Sequence, residues 1–403
     1  MGVVRPSRWL VVVLVGAAVG LLFAGVSTYD FVQHLDRQVH GLHCSFIPGM
    51  GTEAGASGCQ VAMMSPYSSV LRERVWGGIP ISLPAMAVFA FIGFYAVDLL
   101  LARRQGDPRA TAFLAIACAV PAAASVAMLI ISIVKVGALC KMCIAIYAAS
   151  AACLVGGLVL WRRAVRGRAA QVQPPASNRL LSVMAGVGVL FVVLPLALYL
   201  ALVPDQSRFV GSCEGLPHPD DSYGVMVPLS KGTTSPTPAL EVLDPLCPAC
   251  KAFEQRLDAS GLGDRLDRKA VLFPLDTACN WMITETAHPG ACTVSEAVLC
   301  AGNRAPEVLA WAFDVQDRVR EETKADPTAA ARIVKQRFPA FASCIGSSEV
   351  KSRLNKSLRW AVSNNLRVLT PQLFVGKAKL CDEDVDLGLD FALSRMLARG
   401  GAQ

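Results

Sequence analysis

Two short stretches place cysteines at the spacing that dithiol chemistry uses. "VGALCKMCIAIYAAS" carries Cys140 and Cys143 at the mouth of an apolar run, and "PALEVLDPLCPACKAFEQRL" carries Cys247 and Cys250 after a short strand pattern. A thiolate, not a thiol, is the nucleophile in disulfide exchange. A Cys-x-x-Cys pair at a helix start exposes its first sulfur to free backbone N–H groups and the positive end of the helix dipole. That favours the thiolate of Cys247, and Cys250 then resolves the mixed disulfide by attacking its neighbour. A zinc half-site is the competing reading, but it wants a second Cys/His pair at suitable spacing, and none follows. A purely structural bridge is the other, and two separate Cys-x-x-Cys motifs argue against it.

The elements that must position these thiols divide the chain. Of 403 residues, 53% are hydrophobic and only 17% charged; soluble proteins carry about 25% charged residues, so the composition points to a membrane. Five apolar stretches approach or exceed the roughly 20 residues a spanning helix needs: Trp9 to Val26, Ile79 to Leu101, Ala110 to Val134, Val136 to Trp161 and Leu180 to Val203. The first follows Arg5 and Arg8 as a signal peptide would, but no small-x-small cleavage site follows it, so it is read as a span. Proline at 80, 84, 121 and 195 is read as kinks that neighbouring helices satisfy.

Arginine sets the expected orientation. Arg5 and Arg8, then Arg103, Arg104 and Arg109, then Arg162, Arg163, Arg166, Arg168 and Arg179 fall on one side of a five-span arrangement, which is the cytoplasmic side. The net charge of +7 is thus mostly a topology signal, not a nucleic-acid footprint. Residues 27–78 and everything after Pro204 fall outside the cytoplasm. The 14 cysteines fit an oxidising compartment. Cys44 and Cys59 lie in the first outer loop, and Cys118 and Cys153, within helices, are read as packing residues. Cys279 and Cys292 flank "NWMITETAHPGA" and are expected to staple that loop. Cys213, Cys300, Cys344 and Cys381 allow two further bridges of undetermined connectivity.

Strand, CPAC and helix resemble the thioredoxin superfamily. "VLTPQLFVGKAKL" resembles its cis-proline loop, with Thr370 and Pro371 expected beside the active dithiol. The helix-rich stretch from Ser295 to Asn365 resembles the helical insertion of DsbA-like proteins. Residues Trp9 to Trp161 resemble the vitamin K epoxide reductase family: the loop pair Cys44 and Cys59, "CQVAMMSPYSSV" with Ser65 six residues after a cysteine, "GGIPISLPAMAVF", and "CKMCIAIY" with Tyr147 four residues after Cys143. Cys44 and Cys59 lie farther apart than is usual in that family. The intervening segment is Gly-rich, and closing the longer loop costs little more entropy.

The resemblance implies a fold class: a transmembrane four-helix bundle with a fifth linking helix, then an α/β thioredoxin-like domain with a helical insertion. The expected domains are residues 1–165 for the bundle, 166–204 for a cytoplasmic linker with the fifth helix, and 205–403 for the extracytoplasmic thioredoxin-like part. It further implies a quinone-dependent thiol-disulfide oxidoreductase integral to the cytoplasmic membrane. Its cofactor would be ubiquinone or menaquinone, held by Cys143, Tyr147 and Ser65. Its partners would be secreted or periplasmic protein thiols, and nucleic acid has no part in this reading. Electrons would run from Cys247–Cys250 through the loop pair to Cys140–Cys143 and the quinone, with Cys44 expected to meet Cys140 and Cys59 to serve Cys247. Two alternatives remain. One is a conduit carrying reducing power outward, which would want a thiol reachable from the cytoplasm. The other is a membrane-anchored chaperone with structural disulfides only.

Overall fold

The computed structural model describes residues 6–38, 58–167, 175–230 and 237–400. Cys44 lies outside them. The chain forms two compact units, Met1–Pro204 and Asp205–Gln403.

In the first unit, α1 (Arg8–Gln33), α3 (Ser82–Leu101), α4 (Pro108–Ile131), α5 (Lys141–Arg166) and α6 (Asn178–Leu202) are the long helices, with a short α2 (Gly58–Met63). Among the described residues, five segments are long and apolar enough to cross a membrane. α1 packs against α3 and α5, α4 against α5, and α6 against α3. Between apolar helices in lipid, close packing replaces the hydrophobic drive. Gly16 and Gly20 of α1 supply it: a Cβ on Gly20 would lie 2.4 Å from the Phe89 ring, and one on Gly16 2.9 Å from the Cys153 sulfur. Asp107 caps α4 by accepting from the Arg109 amide at 2.9 Å, and also holds the Ala176 amide at 2.6 Å.

Two span boundaries differ from the sequence expectation. Ile79–Pro80 (β2) is not the start of a helix; it pairs antiparallel with Ser69–Val70 (β1), and the helix starts at Ser82. The fourth span does not begin at Val136. Residues Ser132–Val136 extend α4 as a π-type turn, Gly137 takes a left-handed conformation (φ 68°), and α5 starts at Lys141. Apolar composition alone cannot register that reversal, whereas a glycine free to adopt positive φ makes it possible.

The second unit is built on a five-stranded sheet of order β3-β5-β4-β6-β7. Its strands are β3 (Val227–Pro228), β4 (Thr237–Leu243), β5 (Leu266–Leu272), β6 (Gln372–Val375) and β7 (Ala378–Lys379). β4 and β5 run parallel, joined by α7 (Pro248–Ser260), and the other pairings are antiparallel. Between β5 and β6 come α8 (Ala291–Ala301), α9 (Ala305–Ala325), α10 (Ala329–Arg337) and α11 (Ser348–Ser363); α12 (Leu389–Gly400) follows β7. The central strands are buried on both faces, as a sheet covered by helices requires. Leu243, Ala270 and Leu272 face a core with α8 and α9, while Val242, Val271 and Phe273 face one with Trp360 and Phe374. Disulfides join Cys213–Cys381, Cys279–Cys292 and Cys300–Cys344.

Candidate active site

In the first unit, the reversal at Gly137 leaves Cys140 as the N-cap of α5, in extended conformation, with Cys143 in the first helical turn. Cys143, Tyr147 and Ser150 then recur at helical spacing and line one cavity of about 480 Å³. Cys59 and Cys140 line it too, both buried, with their sulfurs 3.2 Å apart. The expected order put Cys44 against Cys140; Cys44 lies outside the described residues, and Cys59 is the loop cysteine seen here. α2 carries Cys59 into a small apolar cluster with Cys140, Met142, Phe23 and Val26, so Cys59 occupies the position beside the membrane dithiol.

Tyr147 lines the cavity together with Cys143 and Ser132. Ser65 also lines the cavity, but its hydroxyl donates to the Ala62 carbonyl at 2.7 Å, tying down the C-terminal end of α2. The Ser125 and Ser150 hydroxyls meet at 2.9 Å on the same wall. Among the described residues, Asp30 is the one acidic side chain lining the cavity. Cys118 and Cys153 are fully buried elsewhere in the bundle core and line no part of it.

In the second unit, Cys247 is the N-cap of α7 and Pro248 follows at the first helical position. The proline lacks an N–H that the helix start would leave unused anyway. The Cys247 sulfur lies 3.7 Å from the Thr370 carbonyl, and the Thr370–Pro371 peptide is cis. Both thiols are buried, Cys247 to 5% and Cys250 to 0% exposure, so accessibility hardly distinguishes them. Electrostatics does. A hydrogen bond from Cys250 brings Cys247 down to about 6, with further help from Thr370, the Cys250 backbone N–H and the charge of His288, against the opposing effect of burial. Burial and the neighbouring Cys247 push Cys250 well up. One sulfur is thus set to attack and the other to hold a proton.

Two groups around this dithiol carry no sequence motif. Asp244 is fully buried and accepts from the Leu246 amide, the Leu275 amide and His288 Nδ1, each at 2.7 Å. Glu241, also fully buried on β4, is held by Arg268 at 3.0 Å, and Arg268 also binds Glu254. Burial holds Glu241 well above the usual carboxylate range. Their one sequence signal is charge inside an otherwise apolar strand pattern, since charged residues are almost never fully buried unless paired.

A dithiol at the start of a helix that follows a strand stands in one chain with a second dithiol among helices of membrane-crossing length, and both have the spacing that thiol-disulfide exchange uses. Residues 11–157 match the model of the Vitamin K epoxide reductase family. Among solved structures, the chain is similar to "Crystal Structure of oxidoreductase DsbA from Xylella fastidiosa", with 16% identity and a TM-score of 0.31, covering 44% of this chain and 96% of that one. No curated protein matches.

Proposed function

We propose that the protein makes disulfides in proteins outside the cytoplasm and delivers the electrons to a quinone in the membrane. The observation that carries this reading is the convergence of Cys59, Cys140, Cys143 and Tyr147 on one cavity. The cavity is walled mainly by apolar side chains and offers a thiol and a phenol, which suits a flat apolar ring bearing carbonyl oxygens. Cys143 and Tyr147 are the residues assigned to hold it, the phenol by a hydrogen bond. Ser65 is kept as a lining residue whose hydroxyl is already engaged. A quinone accepts two electrons and two protons, the equivalents a dithiol releases as it closes to a disulfide.

The relay begins when a substrate thiolate attacks the Cys247–Cys250 disulfide. The resulting dithiol reduces the loop pair Cys44–Cys59, and the loop pair reduces Cys140–Cys143. Each transfer passes through a mixed disulfide. The contact between Cys59 and Cys140 supports Cys59 as the loop thiol that exchanges with the membrane dithiol, which assigns Cys44 to Cys247. The arginine-rich segments around residues 102–109 and 162–179 lie in the cytoplasm in this reading, and the second unit lies outside.

The test is quinone reduction by the purified full-length chain supplied with a reduced peptide dithiol. One quinol should form per peptide disulfide. Peptide oxidation that proceeds equally without quinone would overturn the proposal. A reporter fused after Gln403 that is active only in the cytoplasm would overturn the orientation.

A further inference from the structure

His288 lies in the segment closed by the Cys279–Cys292 disulfide, and its place is fixed from several sides. Its amide donates to the Leu275 carbonyl at 3.0 Å, and its own carbonyl accepts from the Ala291 amide at 3.1 Å. Its ring nitrogen Nδ1 meets the buried Asp244 carboxylate at 2.7 Å. A carboxylate only accepts, so Nδ1 carries a proton whether the ring is neutral or charged, and the charge changes at Nε2. The ring is 10% exposed, which leaves it a route for proton exchange with solvent. Asp244 itself stands three residues before Cys247 on the same connection from β4 to α7. The Asp244 carbonyl accepts from the Cys247 amide at 3.1 Å, so Asp244 joins the His288 imidazole to the turn that carries Cys247.

We propose that His288, oriented by Asp244, is a positioning residue for thiol-disulfide exchange: its imidazolium balances the thiolate that Cys247 becomes whenever it leaves a mixed disulfide. A substrate thiolate attacks Cys247, the Cys247–Cys250 bond breaks, and Cys250 takes a proton. The second substrate thiolate then attacks the first substrate sulfur, and Cys247 departs as a thiolate. The substrate dithiol has lost two electrons and two protons. The electrons rest on the two cysteines and one proton on Cys250. The other proton is released, or taken by His288 to the extent that its ring was neutral.

Burial pulls the imidazole down, but the Asp244 hydrogen bond and charge, together with the Cys247 thiolate, outweigh it and raise His288 above its ordinary value; Arg320 on α9 opposes them. Asp276 is occupied by the Gly290 and Cys292 amides. By linkage, the effect of Cys247 on His288 equals that of His288 on Cys247. The ring should hold its proton to higher pH when the dithiol is reduced than when it is oxidised. Stabilisation of the thiolate is present below the His288 midpoint and fades as pH rises through it. This holds for either direction of electron flow, so its failure leaves the quinone reading intact.

The test is hydrogen–deuterium exchange at the imidazole C2 carbon, followed by mass spectrometry on the full-length chain in detergent. The His288 midpoint should lie at higher pH in the reduced chain, the difference should vanish in Cys247→Ala, and exposed His218 should not respond. Identical His288 midpoints in both redox states would overturn the proposal. His288→Gln keeps a donor toward Asp244 without the charge. It should slow Cys247 alkylation at pH 6 about threefold, the low end of what a nearby opposite charge does. An unchanged rate in a variant that retains the Cys279–Cys292 bridge would also overturn it.

Discussion

Cys140 and Cys247 occupy the same local position. Each is the extended N-cap of a helix (φ, ψ of −87°, 127° and −78°, 122°), and each has its partner in the first turn, at Cys143 and Cys250. Beyond that turn the two sites part. Around Cys140 stand Cys59, Met142, Phe23 and Val26. Beside Cys247 stand Thr370 and Asp244, with His288 on the far side of Asp244 and the Glu241–Arg268–Glu254 cluster on the neighbouring strands and α7. The helix start supplies free backbone donors in both, one fewer in α7, where Pro248 has no N–H. What differs is the medium, an apolar cavity in one and a buried, ordered set of charges in the other. The lesson is that Cys-x-x-Cys fixes the geometry of exchange, while the surroundings decide which partner the sulfurs meet.

The largest expected effect breaks the comparison at its membrane side. Cys143→Ala should lower dithiol-driven quinone reduction on the order of a thousandfold or more, as loss of a reacting group does. The variant should accumulate a Cys140–Cys59 bridge, read by mass-spectrometric disulfide mapping. A Cys140–Cys44 bridge in its place would reverse the assignment of the loop thiols.

Removal of charge should matter most in the second unit. Arg268→Ala leaves Glu241 buried without its cation, and Glu241 is fully enclosed. Stability of that unit should fall by about 3–5 kcal/mol, the cost of breaking a buried pair. Denaturant unfolding followed by Trp360 fluorescence measures it. A loss below about 1 kcal/mol, the level of an exposed pair, would show the cluster to be incidental.

Alkylation against pH separates the two thiols of the second site. Cys247 should titrate at about 6 and Cys250 far above it. The reactive thiolate of Cys247 is therefore present above that midpoint and lost as pH falls through it. At pH 7 Cys247 should react at least about tenfold faster than Cys250, once the lower nucleophilicity of an acidic thiol is allowed for. Equal, unshifted rates would remove the electrostatic contrast between the two units.

The smallest effect sharpens the cavity. Tyr147→Phe should raise the apparent KM for quinone about two- to tenfold, the range of one hydrogen bond. Exchange between Cys59 and Cys140 should be unaltered. A fall in that exchange with unchanged KM would make Tyr147 a partner of the thiols, not of the quinone.

The sequence by itself determined the five apolar helices, the strand–CPAC–helix unit and the helical insertion, because apolar length, period and cysteine spacing are local properties. It could not place helix starts at Ser82 and Lys141, since those depend on β1 pairing with β2 and on the left-handed turn at Gly137. Nor could it decide which loop cysteine approaches Cys140. Cys59 and Cys140 are 81 residues apart and meet only through packing of the bundle. Asp244 and His288, 44 residues apart, carry no spacing rule at all. Their pairing is decided by tertiary structure for a physical reason: a carboxylate enclosed by the fold must find donors there, and beside the Leu246 and Leu275 amides the loop closed by Cys279–Cys292 presents His288.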